Sequence, residues 1–307
     1  MVAKVIDGKA LAAKVRVQCQ ARTQALVASG VTPGLAVILV GENPASKVYV
    51  GNKAKACAEV GIASEVIRLP GSSTEDEVID QIRRLNGDGR VHGILVQLPL
   101  PAGMDIRRVL GAISHEKDVD GFHLYNVGAL VVGETIFPPC TPYGVQLLLE
   151  SESIPVAGQN VVIVGASNIV GKPMALMLMR QDATVTVCHA KTRDLGQFTI
   201  LADILIVAVG HPKLIVGSMI KTGAVVIDVG INRLPDGTLT GDVDFDSAAR
   251  KASYITPVPG GVGPMTVTML IVNTLNSTEH AMARAARAAT APSCEVQQAW
   301  EMDDVTP

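Results

Sequence analysis

The sequence predicts an α/β protein with two domains. Its 307 residues are about twice the length of an average domain. Short apolar runs rich in β-branched residues alternate along the chain with stretches of helical periodicity. Apolar strands separated by helices are typical of parallel sheets whose two faces are both covered. We therefore expect parallel sheets with helices packed on both sides.

The same patterns predict the individual elements in order. The predicted strands cover residues 35–40, 64–69, 93–98, 160–164, 184–188, 204–209, 224–229 and 253–257. The predicted helices include residues 8–29, 46–60, 74–85 and 143–150. Thr74 followed by Glu77 has the spacing of a capping box, which predicts the start of the third of these helices.

A domain boundary is expected within residues 137–142. This string contains three prolines, so we expect neither a helix nor a central strand in it. We assign residues 1–139 to the first domain and residues 140–264 to the second. The apolar run at 265–275 predicts a further helix, which we extend to residue 290. The polar, acidic residues 291–307 are expected to form a disordered tail.

Charge and composition exclude several classes of function. The chain has 26 basic and 29 acidic residues, a net charge of −3, and only 3% aromatic residues. A nucleic-acid binder needs a basic excess on one face or aromatic platforms for the bases, so we expect no nucleic-acid partner. No apolar run reaches the ~18 residues of a membrane-spanning helix, and the charged start lacks the apolar core of a signal peptide. A cytoplasmic enzyme or binding protein is expected.

The cysteines and histidines indicate neither disulfides nor a metal site. The five cysteines are widely spaced and form no Cys-x-x-Cys pair. They are Cys19, Cys57, Cys140, Cys188 and Cys294. The six histidines lack metal-ligand spacing. We expect single buried thiols and no bound metal.

A glycine-rich turn follows the predicted strand 160–164. Residues 165–173 read Gly-Ala-Ser-Asn-Ile-Val-Gly-Lys-Pro, and an apolar helical stretch comes next. Strand, glycine turn and helix are the setting of a dinucleotide phosphate site, although Ser167 replaces the second glycine of the usual pattern. Its hydroxyl could donate to a phosphate. The alternative is a plain tight turn.

The next predicted strand, 184–188, ends in a basic turn. A NAD site often has an Asp or Glu at this position, which binds the ribose 2′-hydroxyl. Here Lys191 and Arg193 follow the strand instead, and both suit a 2′-phosphate. The alternative is a solvated basic turn.

Five polar residues, at three places in the first domain, are candidates for catalysis or ligand binding. Tyr49 and Lys53 are four residues apart on a predicted helix and so share a face. Short-chain dehydrogenases also have a Tyr-x-x-x-Lys pair, but there it follows the nucleotide turn, whereas here it precedes it. Gln97 lies at the carboxyl end of a buried strand, where open α/β sheets bind ligands. Asp118 and Asp120 lie in a loop, and one of them could bind a planar, donor-rich group. The alternatives are a strand-end amide and a turn-forming Asp-Gly pair.

Together these segments resemble the bifunctional methylenetetrahydrofolate dehydrogenase/methenyltetrahydrofolate cyclohydrolase family. The resemblance covers roughly residues 5–275, and its motifs occur in the family's order. The matching segments are Val40-Gly41, Ser46-x-x-Tyr49-Val50-x-x-Lys53, Val96-Gln97-Leu98-Pro99-Leu100-Pro101, Lys117-Asp118-Val119-Asp120-Gly121-Phe122, Pro139-Cys140-Thr141-Pro142, residues 165–173 and residues 257–266.

The resemblance implies a fold and a function. The family has an N-terminal α/β catalytic domain, a Rossmann-like dinucleotide-binding domain and a C-terminal helix that returns to the first domain. Its members oxidise 5,10-methylenetetrahydrofolate to 5,10-methenyltetrahydrofolate with NADP and hydrolyse the product to 10-formyltetrahydrofolate in the same cleft. They are usually homodimers that pair through the Rossmann domains.

The resemblance also assigns residues. Lys53 corresponds to the family's catalytic lysine, with Tyr49, Gln97 and Asp120 as its catalytic partners. The expected folate-binding residues are Tyr49, Gln97, Leu98, Pro99, Asp120, Pro259, Gly260 and Gly261. The expected cofactor-binding residues are Gly165, Ala166, Ser167, Ile169, Val170, Gly171, Pro173, His189, Ala190, Lys191, Arg193 and Ile231.

Two departures from the family pattern concern the cofactor. The family commonly has Arg where this chain has Ala166, and often Ser where it has Ala190. The basic residues Lys191 and Arg193 favour NADP as the cofactor, and the two departures leave NAD possible. A dehydrogenase of another small substrate, such as a shikimate-like acid, and a non-catalytic nucleotide-binding regulator are the rival interpretations. Neither rival needs the set of Tyr49, Lys53, Gln97 and Asp120.

Overall fold

A computed structural model describes residues 2–290 and confirms the predicted fold class. The strands are β1 (Lys4–Val5), β2 (Gly34–Val40), β3 (Ala63–Leu69), β4 (Gly93–Val96), β5 (Asn160–Val164), β6 (Thr184–Cys188), β7 (Ile204–Val207), β8 (Val225–Asp228), β9 (Asn232–Arg233), β10 (Leu239–Thr240) and β11 (Tyr254–Ile255). The helices are α1 (Gly8–Ala28), α2 (Pro44–Val60), α3 (Glu75–Gly87), α4 (Ile106–Gly111), α5 (Leu124–Val132), α6 (Cys140–Ser151), α7 (Gly171–Met179), α8 (Leu195–Thr199), α9 (Phe245–Ala249) and α10 (Val262–Thr290). The expected tail at 291–307, with Cys294, lies outside the described residues.

The first domain is built on a three-stranded parallel sheet. Its strand order is β3-β2-β4, and β2 is buried along its whole length. One face of the sheet packs against α3, whose buried side chains are Val78, Ile79, Ile82 and Leu85. The other face packs into a larger core together with α1, α2 and α10. Thr74 and Glu77 form the predicted capping box at the start of α3.

The second domain is built on a six-stranded sheet. Its order is β1-β11-β8-β7-β5-β6, and its neighbouring strands are parallel. The predicted strands 160–164 and 184–188 have the observed bounds of β5 and β6. Strand β1 was not predicted. It comes from the start of the chain and adds to one edge of this sheet, although the residues that follow it belong to the first domain.

The proline string begins a helix, contrary to our expectation. Helix α6 starts at Cys140, with Pro139 as its N-cap and Pro142 in its first turn. The prediction was wrong because proline is tolerated in the first helical turn, where the backbone N–H groups have no helical acceptor. The segment that connects the two domains, residues 137–139, therefore leads directly into α6.

Helix α10 returns to the first domain, as expected. It begins directly after the loop 257–261 and packs against α6, α1 and α2. Met265, Met269 and Leu275 are among its fully buried side chains. Because α10 contacts helices of both domains, it holds the cleft between the two sheets in place. In residues 2–290, no helix is long and apolar enough to cross a membrane.

Candidate active site

The candidate residues of the first domain meet at the carboxyl edge of its sheet. Gln97 directly follows β4, and α2 follows β2. The loop that contains Asp118 and Asp120 runs beside β4, where Ile94 N donates to Lys117 O at 2.7 Å. The carboxyl edge of a parallel sheet is where α/β proteins bind ligands, so the topology places these groups correctly for a shared site.

Lys53 and Gln97 are hydrogen-bonded to each other. The Lys53 Nζ donates to Gln97 Oε1 at 3.1 Å, and both residues are half-buried. The other end of the Gln97 amide, Nε2, donates to Leu98 O at 2.7 Å. The amide is thereby oriented with its oxygen toward the lysine. Tyr49 lies one turn before Lys53 on α2, and its side chain is 37% exposed.

The two carboxylates of the Asp-Val-Asp segment have different surroundings. Asp118 is buried and accepts hydrogen bonds from His123 N at 2.7 Å and from Asn126 Nδ2 at 2.8 Å. It therefore shapes the loop. Asp120 is half-buried, and among residues 2–290 no N–H donates to its carboxylate. Burial raises the pKa of Asp120, and the nearby Lys53 opposes this shift. The Cys140 thiol hydrogen-bonds to Asp120, so of the two carboxylates Asp120 has fewer protein donors and more capacity to accept a ligand's donors.

Asn273 of α10 holds the Asp120 loop and was missed by the sequence analysis. Its side chain is fully buried, and Nδ2 donates to Val119 O and to Pro138 O, each at 2.9 Å. The same nitrogen is 3.7 Å from the Sγ of Cys140, whose pKa burial raises well above its usual range. The Oδ1 of Asn273 has no partner among the described residues. The sequence feature that could have identified Asn273 is its amide, which lies in the predicted helix 265–275 among apolar residues and threonines.

A cleft of about 470 Å³ lies between the two domains beside Tyr49. Its walls bring Tyr49 together with the predicted loop residues Pro259, Gly260 and Gly261, and with Ile231 from the second domain. Gly260 has a φ of +113°, a conformation that L side chains rarely adopt, and this allows the loop its sharp bend. Of the predicted cofactor residues only Ile231 lines this cleft, and Lys53, Gln97 and Asp120 do not line it. Leu98 and Pro99 lie with Gln97 at the end of β4 instead.

The glycine turn is sharply bent and tightly packed against the start of α7. Gly165 has a φ of +124°, and a Cβ at Gly171 would overlap the carbonyl group of Gly165. The Ser167 Oγ accepts from Val170 N at 3.1 Å and Gly171 N at 3.4 Å, so its own hydrogen remains available to a ligand. Every predicted cofactor residue from 165 to 173 lies in this turn or in the first turn of α7.

The basic turn after β6 lies beside the glycine turn. His189, Ala190, Lys191 and Arg193 are exposed, and β6 pairs with β5, the strand that leads into the glycine turn. Among residues 2–290, no acidic group pairs with Lys191 or Arg193. Two cations without partners fit the 2′-phosphate of NADP, and the absence of a carboxylate at the tip fits NAD less well.

Two buried carboxylates hold the loops at the carboxyl edge of the second sheet. Asp242 Oδ2 accepts from the backbone N–H groups of Val209 and Gly210 at 2.7 and 2.9 Å. Asp228 accepts from Gly230 N, Asp242 N and Val243 N at 2.9–3.0 Å. Burial raises the pKa of Asp228 to about 6. These bonds fix the loop that carries Ile231 into the cleft.

Two features of the structure lie outside the site. Cys19, Cys57, Cys140 and Cys188 are buried free thiols, as predicted. A second cavity of about 400 Å³ lies at the opposite edge of the six-stranded sheet, next to Asp203 and Lys221, and contains none of the predicted site residues.

Comparison with known proteins agrees with this geometry. The family model of the tetrahydrofolate dehydrogenase/cyclohydrolase catalytic domain matches residues 6–120, and that of the NAD(P)-binding domain matches residues 139–282. Bifunctional protein FolD of Nitrosospira multiformis is 62% identical over 284 residues, which are 92% of this chain and 99% of that protein.

Solved structures give the same result. The FolD methylenetetrahydrofolate dehydrogenase/cyclohydrolase of Campylobacter jejuni has a TM-score of 0.90 and 52% identity, over 91% of this chain and 99% of that one. The Trypanosoma brucei enzyme, solved with NADP cofactor and an inhibitor, has a TM-score of 0.89 and 39% identity, over 92% and 99% of the two chains. A shikimate dehydrogenase of Thermus thermophilus shares only the fold, at 13% identity. The chain therefore belongs to the tetrahydrofolate dehydrogenase/cyclohydrolase family.

Proposed function

We propose that one cleft performs both reactions of the family and that Lys53, Tyr49, Gln97 and Asp120 act on the folate. The protein is a bifunctional enzyme: it oxidises 5,10-methylenetetrahydrofolate to 5,10-methenyltetrahydrofolate with NADP, and it hydrolyses that product to 10-formyltetrahydrofolate. The observation that carries the residue assignment is the 3.1 Å hydrogen bond between Lys53 and Gln97 at the carboxyl edge of the first sheet.

The hydrolysis requires proton transfer at a cationic substrate. Water adds to the one-carbon centre of the methenyl cation, and the Lys53 Nζ takes the proton that the water loses. The same group then returns the proton to the ring nitrogen as the carbon–nitrogen bond breaks. The hydroxyl on the one-carbon centre loses its own proton to solvent as it becomes the carbonyl of the formyl group on the other nitrogen. Gln97 Oε1 holds the amine in place through both steps. Asp120 accepts hydrogen bonds from the amino edge of the pterin.

The oxidation depends mainly on positioning. NADP, when bound, accepts a hydride from the methylene carbon. The product cation has no proton to remove, so acid–base catalysis contributes little to this step. Tyr49 orients the folate ring, and Pro259, Gly260 and Gly261 let the chain pass close to the substrate. The glycine turn 165–173, the basic turn 189–193 and Ile231 would hold the dinucleotide.

The division of the chain follows the two ligands. Residues 1–139 with residues 265–290 of α10 form the folate-binding unit, and residues 140–264 form the cofactor-binding unit. The packing of α10 on α1 and α2 supports this assignment. Strand β1 is the exception, since it extends the sheet of the cofactor unit.

The enzyme acts as a homodimer that pairs through the Rossmann domain. Strand β6 is an edge of the six-stranded sheet, and α8 packs beside it. This edge exposes the apolar side chains Val187, Phe198 and Leu201. Such a patch favours a protein interface. Sedimentation analysis should give a dimer for the wild type and a shift toward monomer for Leu201→Asp, and a wild-type monomer would contradict this part of the proposal.

The enzyme works in the cytoplasm on small molecules and needs neither nucleic acid nor membrane. Four buried thiols without a disulfide support a reducing compartment.

The direct test of the activity is an absorbance assay. Purified protein is mixed with methylenetetrahydrofolate and either NADP or NAD, and both the reduced cofactor and the methenyl product are followed. We expect reduction with NADP and enzyme-accelerated decay of methenyltetrahydrofolate when that compound is supplied directly. Cofactor binding without turnover would support the rival interpretation as a nucleotide-binding regulator.

A further inference from the structure

A small cavity lies at the amino edge of the first sheet, at the opposite end of β4 from the candidate active site. His92, which directly precedes β4, lines it, whereas Gln97 directly follows this strand. The cavity has a volume of about 130 Å³. Pockets for drug-sized organic ligands have volumes of ~300–1,000 Å³, so this one fits only a much smaller group. We call it the amino-edge cavity, and its polar lining residues are His92, Glu116, Lys117, Ser277, His280 and Arg284.

One wall of the amino-edge cavity is a face of helix α10. Ser277, His280 and Arg284 follow one another at intervals of three and four residues, so they share this face. The Ser277 Oγ is 2.6 Å from His92 O and 2.9 Å from Glu116 O, within hydrogen-bond distance of both. It thereby ties α10 to the start of β4 and to the loop that runs beside this strand. The walls of the cavity are held in place by the protein itself.

His92 presents a buried donor that no protein group uses. The residue is 8% exposed, and its Nδ1 accepts a hydrogen bond from Gly34 N at 3.1 Å. The neutral imidazole therefore carries its hydrogen on Nε2. Burial and the neighbouring Lys117 ammonium lower the pKa of His92, which favours this neutral form. Within the described part of the chain, no acceptor bonds to the Nε2 hydrogen. An unpaired buried donor costs free energy, so the site favours a ligand that brings an acceptor.

The charges around the amino-edge cavity favour an anion. Arg284 pairs with Glu116, but both side chains are partly exposed, and such pairs contribute little. The guanidinium has five N–H groups, so it retains donors beyond those that face Glu116. Lys117 donates all three ammonium hydrogens to backbone carbonyls at the end of α3, at 2.8–3.0 Å, and contributes charge alone. Asp88, which also acts on Lys117, is paired with Arg90 at 2.8 Å. Three cations thus face two carboxylates.

We propose that the amino-edge cavity binds a tetrahedral oxyanion of the phosphate or sulfate class, with His92 Nε2 and the Arg284 guanidinium as donors. An oxyanion supplies both the acceptor that His92 lacks and the negative charge that the surroundings lack. One guanidinium can bond two oxygens of such an ion. His280, one turn before Arg284 on the same face, is placed to add a third donor. Because the ion contacts both α10 and the start of β4, its binding stabilises their packing.

Calorimetric titration with inorganic phosphate tests the proposal. The protein is first saturated with NADP, so that phosphate cannot occupy the groups that hold the cofactor. We expect one saturable site per chain and an unfolding midpoint that rises with the phosphate concentration. Arg284→Gln should weaken phosphate binding about tenfold, the effect of one charge-assisted hydrogen bond. Glu116→Gln removes the competing carboxylate and should strengthen it. Added chloride salt should weaken it in the wild type.

A matched control and a second variant make the test specific. Arg83→Gln removes an exposed arginine of α3 that pairs with Asp80 outside the cavity, and it should leave the phosphate affinity as it is. His92→Leu should abolish binding, but it also leaves Gly34 N without its acceptor and lowers stability. The decisive variant is therefore Arg284→Gln/His280→Gln, which keeps that bond.

Glycerol phosphate, titrated in the same way, distinguishes two sources of the oxyanion. Equal affinity would assign the site to the phosphate group of a larger molecule, and weaker binding would assign it to the free ion. Both results support an oxyanion site. Absence of saturable phosphate binding by the wild type would mean that His92 Nε2 is only hydrated and would overturn the proposal. Unchanged phosphate affinity in Arg284→Gln/His280→Gln would overturn it as well.

Discussion

Lys53 and Gln97 are 44 residues apart in sequence, yet the lysine Nζ donates to the glutamine Oε1 at 3.1 Å. The contact joins a helix to the end of a buried strand. Gln97 cannot turn its amide freely, because its Nε2 is bonded to Leu98 O. The oxygen that faces Lys53 is thus fixed by the backbone of the same strand end. Gln97, which is fixed by its bond to Leu98 O, thus orients the Lys53 amine.

Replacement of Asp120 should weaken folate binding more than cofactor binding. Its carboxylate, which already bonds the Cys140 thiol, is expected to accept hydrogen bonds from the pterin, and leaving buried donors without partners costs about 1–3 kcal/mol. Separate titrations of Asp120→Ala with folate and with NADP measure the two effects. Asp118→Ala is the structural comparison, since Asp118 bonds His123 N and Asn126 instead. Equal losses for both ligands in Asp120→Ala would point to a folding defect and against the assignment.

Cofactor preference should depend on Ala166 and Lys191. We expect wild type to prefer NADP, because no carboxylate lies at the end of β6 and Lys191 is nearby. Ala166→Arg should increase the preference, by on the order of 1.5–3 kcal/mol or roughly ten- to hundredfold, because it adds a charged contact to the 2′-phosphate. Lys191→Ala should decrease it. The measurement is kcat/KM for both cofactors. A wild type that prefers NAD, or an unchanged ratio in Ala166→Arg, would refute this account of the site.

The buried Asp228 should make stability pH-dependent. Its pKa is raised from 3.8 to about 6 because burial disfavours the charged form, so the folded state binds the proton more tightly than the unfolded state. The resulting stabilisation is complete below pH 3.8 and is lost as the pH rises through 6. It amounts to about 3 kcal/mol for a shift of this size.

Asp228→Asn isolates this contribution from those of other carboxylates. The free energy of unfolding of wild type minus that of the variant should fall as the pH is raised from 4 to 7 and should level off above that range. Chemical denaturation at several pH values measures it. A difference that stays constant across this range would mean that Asp228 has an ordinary pKa.

Asn273 should contribute to both stability and folate binding. Asn273→Leu removes the donor shared by Val119 O and Pro138 O. Val119 O keeps the Cys140 thiol as a donor at 3.3 Å, whereas Pro138 O loses its partner, and an unpaired buried acceptor costs about 1–3 kcal/mol. Because Val119 precedes Asp120, the folate KM should rise together with the loss of stability. Thr278→Val is the matched control on the same helix, since its hydroxyl bonds only to Thr274 O. Unfolding midpoints and KM values like those of wild type would show that the contact is dispensable.

The sequence predicted the regular parts of the fold well. Strands β5 and β6 are β-branched runs that end at turns, and their bounds were predicted correctly. Strand β1 has only two residues, and its pairing with β11 depends on a partner about 250 residues away, which no local pattern contains. The start of α6 was missed because a proline in a first turn and a proline that breaks a helix look alike in sequence.

Contacts between residues far apart in sequence also limited the prediction of the site. The helical spacing of Tyr49 and Lys53 and the strand-end position of Gln97 made these residues candidates, and the resemblance to the family assigned their roles. Asn273 was missed because it acts on Val119, 154 residues earlier in the chain.

Methenyltetrahydrofolate hydrolysis by Lys53→Ala tests the central claim most directly. Loss of a positioned acid–base group typically lowers a rate by ~10²–10⁴-fold, so the variant should approach the spontaneous rate of hydrolysis while its unfolding midpoint stays near that of wild type. Lys47→Ala, on the same helix but outside the site, should hydrolyse the substrate as wild type does. If folded Lys53→Ala retains near wild-type hydrolysis, Lys53 is not the proton-transfer group and the account of the site is wrong.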